Sequence, residues 1–141
     1  MAGTVVADTL QADSTSTLVI KNGVANTPPT IQDSAGTQIG TFCRAWVNFN
    51  GTTVTNPASM TGVRGSFNVS SILDGGAGIY TVNFTTAMPD ANYSLCGSSN
   101  IAAGWVLSND TLSSTSATIR TTNSTSGAAS DSSIVNVSIF R

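Results

Sequence analysis

FNVSSILDGGAGIYTVNF, residues 67–84, is the stretch whose reading decides the fold. Residues 79–84 (IYTVNF) are strand-forming and return along residues 67–72 (FNVSSI). Between them Asp74-Gly75-Gly76-Ala77-Gly78 offers glycines for the backbone conformations of a tight reversal. The unit reads as a β-hairpin.

Working outward, residues 63–72 read as one long strand, with Val63, Gly65, Phe67 and Val69 alternating against Arg64, Ser66, Asn68 and Ser70. Upstream, residues 42–49 (FCRAWVNF) place Cys43, Ala45, Val47 and Phe49 on one face and Phe42, Arg44, Trp46 and Asn48 on the other. Aromatics on both faces predict that both are covered, with Trp46 and Tyr80 in the core. A Thr-rich loop follows Asn50-Gly51. Downstream, residues 88–92 (MPDAN) read as a turn, and strands are expected at 93–96, 104–108, 117–121 and 134–140. The last sets Ile134, Asn136, Ser138 and Phe140 against Val135, Val137 and Ile139. Short strands with turn signals every 8–15 residues predict an all-β, antiparallel sandwich or jelly-roll-like body over residues 41–141. Residues 122–133 (TNSTSGAASDSS) read as an exposed tip.

Residues 1–40 read as an extended N-terminal arm. Residues 5–10 are extended, 17–21 (TLVIK) form a strand ahead of Asn22-Gly23, and Pro28-Pro29 stops the return pairing. Residues 30–32 read as extended and 33–36 as a turn. Too few apolar side chains lie here to fold alone, so the arm is expected to pack against another molecule.

Composition agrees with a β class. Leu, Ile, Val and Phe make up about 23% of the 141 residues, and Ser with Thr about 29%. Charged residues are 9%, with no Glu or His and one Lys, so strong helix formers are scarce. A lean core of this kind points to self-association. The net charge of −2 and scattered Arg44, Arg64, Arg120 and Arg141 give no nucleic-acid footprint. No apolar run has membrane-spanning length. Residues 1–4 (MAGT) lack the start of a signal peptide, which predicts synthesis in a cytoplasm. Cys43 and Cys96 are therefore expected as free buried thiols rather than a disulfide.

Catalytic machinery is not evident. Without His or Glu no imidazole activates a nucleophile, and a paired-carboxylate mechanism would need two of the seven Asp. Those Asp sit mostly in turns, where the side chain stabilises the reversal. Two distant Cys make no zinc site, and Asp74 and Asp90 lack the neighbouring carboxylates of a Ca²⁺ site. No enzyme activity, cofactor or metal is expected. Seven Asn-x-Ser/Thr triplets, including those at Asn50, Asn68 and Asn136, follow from composition. Candidate receptor-facing residues are Trp105, Asn100, Asn123 and Ser126, in the downstream loops. Core or intersubunit packing is the competing reading of Trp105.

Residues 42–51 (FCRAWVNFNG), 64–73 (RGSFNVSSIL) and 79–93 (IYTVNFTTAMPDANY) resemble a module of tailed-bacteriophage virion proteins, of the cyanophage and marine-phage type. Residues 28–40 (PPTIQDSAGTQIG) also resemble such proteins, so the likeness spans about 28–96. It implies a non-catalytic tail-fibre-like β module, homotrimeric and on the virion surface. Two roles are then open. One is a fibre or fibre-tip protein for host attachment, its body facing a host glycan or protein. Residues 1–40 would then dock to another virion protein, of tail or capsid, or form a short three-chain stem. The other is a capsid decoration protein stabilising the head.

Overall fold

The computed structural model describes residues 29–100 and 105–141, and of 105–107 the backbone alone. The expected segments at 5–10 and 17–26 lie outside the described residues. The described residues are all-β, with no helix. A short hairpin of β1 (Ile31–Gln32) and β2 (Gln38–Gly40) comes first. Its turn is closed by the Asp33 carboxylate, which accepts hydrogen bonds from the amides of Ala35 and Thr37, and by Gly36 at φ 84°.

Eight strands follow in two four-stranded antiparallel sheets. β4 (Val63–Phe67), β3 (Cys43–Phe49), β10 (Val135–Phe140) and β7 (Ser94–Ser99) form the first, in that order. β5 (Val69–Asp74), β6 (Ile79–Phe84), β9 (Ser116–Asn123) and β8 (Trp105–Leu112) form the second. The strands with the cleanest alternation take the central places. Ala45, Val47 and Phe49 of β3 and Val135, Val137 and Ile139 of β10 are buried from the first sheet. Tyr80, Val82 and Phe84 of β6 and Ala117 and Ile119 of β9 are buried from the second. All belong to one hydrophobic cluster, crossed by an edge-on contact of Phe49 and Tyr80 with ring centroids 5.1 Å apart. A second edge-on pair, Phe84 with Tyr93, lies at 5.9 Å. Each fully buried large side chain contributes about 1.5–3 kcal/mol. The outer strand β7 (SLCGSS) supplies only Leu95 to this cluster, and Ser and Gly dominate it.

The hairpin read at 67–84 is present as β5–β6, in the register Val69↔Phe84 through Asp74↔Tyr80. The single strand expected over 63–72 is instead two strands, one in each sheet. Asn68 is the corner between them, at φ 56°, the only non-glycine with positive φ among the described residues. Asn and Asp tolerate this region better than other side chains because they bond locally. Here the carboxamide donates to the carbonyls of Arg44 and Thr86 and accepts from the Thr86 amide. Asn68→Ala is expected to cost about 2–3 kcal/mol, combining a strained backbone with the loss of three side-chain hydrogen bonds, one of them partly buried. Urea unfolding checks it, and a loss under about 0.5 kcal/mol would mean the corner forms without this side chain.

Other expectations need correction. Trp46 lies on the outer face and is 42% exposed, because nothing among the described residues covers that face. Cys96 is exposed and Cys43 only half-buried. Both thiols are free, and β10 runs between their strands, separating them by roughly two strand spacings, about 9.5 Å. Residues 122–133 are not a tip throughout. Residues 124–128 are the continuous exposed stretch. Beyond them Ser130 bonds back to Thr121, and Ser132 is fully buried.

Candidate functional site

Strand pairing assembles two rows of side chains on the outer face of the first sheet. Trp46 pairs with Phe67 on one side and Ser138 on the other, and Ser138 pairs with Cys96. One step along, Gly65, Asn48, Asn136 and Ser98 stand side by side. Alternation puts these residues outward because their neighbours in β3 and β10 fill the core. Trp46 and Phe67 are 42% and 55% exposed, an aromatic cross-strand pair open to solvent.

The second row is a directed hydrogen-bond chain. Arg64 donates to the Asn48 carbonyl oxygen at 3.4 Å. Asn48 donates to the Asn136 carbonyl oxygen at 2.6 Å, and Asn136 to the Ser98 hydroxyl at 3.2 Å. A second guanidinium nitrogen of Arg64 donates to the Ser133 carbonyl at 2.6 Å. The Trp46 ring leans over the neighbouring strand at Gly65. An added Cβ there would lie 3.3 and 3.4 Å from Cη2 and Cζ3 of the indole. The glycine thus leaves room for the indole to lean across the sheet. By contrast, the outer face of the second sheet is furnished with short polar groups, such as the Thr81–Thr118 hydroxyl pair at 3.0 Å and Asn83 bonded to Ser71.

The residues expected to face a receptor gather at one end of the molecule. The backbone of Trp105 pairs with Asn123 where β8 begins and β9 ends. The Trp105 side chain lies outside the described residues. Asn123 and Ser126 build the turn, with the Asn123 carboxamide accepting from the amides of Thr125 and Ser126. Asn100 closes the start of β10, accepting from Ser132 Oγ, Ser133 Oγ and the Ile134 amide. The Asn100 and Asn123 carboxamides are thus committed to the fold, while Ser126 stands exposed. Trp46, Phe67, Asn48 and Asn136 were not singled out as a ligand surface in the sequence. Asn48 and Asn136 are 88 positions apart, and only the pairing of first and last body strands joins them.

Beneath the same end, the chain returning from the tip is pinned by Asp131. Its Oδ1 accepts from the Tyr80 hydroxyl at 2.9 Å and the Gly78 amide at 2.7 Å. Burial, with the hydrogen bond to and the charge of Asp131, pushes the Tyr80 hydroxyl well above the usual tyrosine range. Burial also raises Tyr93, whose hydroxyl donates to the carbonyls of Ser113 and Ser116. A tyrosine held neutral in the fold favours folding fully below its unfolded pKa of about 10. Above that pH the unfolded chain ionises first, so stability falls with rising pH. For Tyr80 the slope is expected to approach about −1.4 kcal/mol per pH unit once the pH passes the unfolded pKa. Urea midpoints between pH 9 and 11 check it, and Tyr80→Phe should flatten the curve while leaving the Tyr93 share. At the opposite end, Arg141 grips Asp90 with contacts of 2.6 and 3.1 Å and holds its carboxyl below the usual range.

Among the described residues no group of three or more His, Cys, Asp or Glu could hold a metal. No helix among them is long and apolar enough to cross a membrane. No protein-family model, curated protein or solved structure matches the chain.

Proposed function

We propose that the chain is a non-enzymatic structural protein of a tailed-phage particle, a homotrimeric surface appendage of tail-fibre or fibre-tip type involved in host attachment. The observation that carries this reading is the apolar edge of the N-terminal segment. Ile31, Ile39 and Phe42 are 43%, 65% and 41% exposed on and beside a hairpin too small to be stable alone. Contacts with copies of the chain would bury them, and the lean core has the same need. The body is read as a β-sandwich, and the strand order favours that over a jelly roll. Consecutive strands pair within one sheet as β3–β4, β5–β6 and β8–β9, whereas a jelly roll sends them to opposite sheets. The phage assignment itself rests on the resemblance of residues 28–96, whose phrases supply Phe49, Asn68, Ile72, Tyr80 and Tyr93, the frame of the fold.

Capsid decoration is the second reading, since exposed arms on small trimers also suit a clamp over a shell. Sedimentation equilibrium of the full chain tests the shared core of both. A mass three times that of the chain is expected, and a monomer at micromolar concentration would reject it.

A further inference from the structure

We propose that the outer face of the first sheet is a saccharide-binding site, taking a neutral, hydroxyl-rich polysaccharide across Trp46 and Phe67. The proposal deepens the attachment reading and rests on it for the source of the ligand, a glycan of the host surface.

A pyranose offers two kinds of surface at once. Its ring face is a patch of C–H groups, and its rim carries hydroxyls that both donate and accept. A site for it needs an exposed aromatic surface beside fixed polar groups of mixed donor and acceptor character. Both lie here one pleat apart. Trp46 and Phe67 form adjacent exposed aromatics. Trp46 already leans across the sheet above Gly65, so little side-chain freedom is lost on binding. The row beside them is oriented by its own bonds. Asn48 spends one N–H on Asn136, and Asn136 spends one on Ser98. Each carboxamide keeps a second N–H and a carbonyl lone pair for a ligand. Two neighbouring carboxamides with those groups left over match vicinal hydroxyls.

The same chemistry argues against another copy of the chain on this face. Interface cores shared between permanently associated subunits are predominantly apolar. Here two aromatics stand among Asn48, Asn136, Ser98, Ser138 and Arg64, and an apolar partner would strip water from the carboxamide row without replacing its bonds. The exposed isoleucines of the N-terminal hairpin are the more economical place for self-association. No Asp lies in the four strands of this sheet; their charged side chains are Arg44 and Arg64, and Arg64 is already engaged by the Asn48 carboxamide and the Ser133 carbonyl.

The test uses the full chain on an array of immobilised bacterial O-polysaccharides and capsular polysaccharides, with affinities from isothermal titration calorimetry. Wild-type protein is expected to bind at least one of these glycans. Trp46→Ala should weaken that binding by about 30-fold, as loss of an anchoring aromatic does. Asn136→Ala should weaken it by about 3- to 10-fold, as loss of a hydrogen bond does. Trp105→Ala should leave it unchanged. Thermal unfolding and sedimentation of Trp46→Ala and Asn136→Ala are expected to match wild type, since these two side chains stand on the outer face of the sheet. Three results overturn the site: no glycan bound by wild type, binding that survives Trp46→Ala, or loss with Trp105→Ala alone. A drop in oligomer mass for Trp46→Ala would overturn it too, making this a subunit face. Particles that contain the protein while the wild-type chain binds no glycan would reject the site and leave the structural role standing.

Discussion

Gly78→Ala is expected to remove at least about 3 kcal/mol of folding stability, read from urea unfolding. Gly78 sits at φ 68°, where an added Cβ is strained whatever the space. There is also no space. The Cβ would press on the Thr121 carbonyl oxygen and lie 2.6 and 2.9 Å from the amide and carbonyl of Ser130. These are backbone atoms that already bond each other and Gly78, so they cannot swing aside. The Gly78 amide also holds Asp131. Displacing it loosens the carboxylate that receives the Tyr80 hydroxyl in the core. The control is close by. Gly76, at φ 111°, has nothing within 4 Å of an added Cβ, so Gly76→Ala should cost only the backbone strain, about 1–2 kcal/mol. Equal losses at the two positions would mean that the crossing of β6, β9 and the returning chain is not tight.

Removing residues 2–40 should have the largest effect on assembly and little on the body. Incorporation into particles is expected to fall to background, while residues 41–141 keep a cooperative thermal transition and the near-UV signal of packed Tyr80 and Tyr93. The reason lies in where the core is drawn from. Among the described residues every buried member of the hydrophobic cluster falls between Ala45 and Ile139, and Thr41 still bonds the Arg141 carbonyl. The deleted stretch contains Ile31 and Ile39, both exposed and neither a member of the core cluster. A truncated chain that unfolds would show the arm to be part of the core. One that still enters particles would show that docking lies elsewhere.

Period-two alternation made the central strands legible, because β3, β6 and β10 each bury every second side chain. Alternation failed at Asn68, where the pattern runs unbroken from 63 to 70 while the backbone turns a corner. The only local trace was an Asn, one of the few side chains that tolerate a positive φ. It failed again at Trp46. Aromatics on both faces of residues 42–49 read as two covered faces, yet only the face bearing Ala45, Val47 and Phe49 meets the other sheet. The carboxamide row is a product of pairing between strands nearly a hundred residues apart, and no window along the chain contains it. Asp131 was likewise hidden in a Ser- and Ala-rich loop, since its partner Tyr80 is 51 positions away.

The central proposal, that the chain is a building block of a phage particle, is tested most directly by quantitative mass spectrometry of virions purified from cells that make the chain. The protein is expected in the particles at a fixed copy number divisible by three. A few to a few dozen copies would place it on the tail, and hundreds would place it on the head as a decoration protein. Its absence from purified particles, in cells that make it abundantly, would contradict the account.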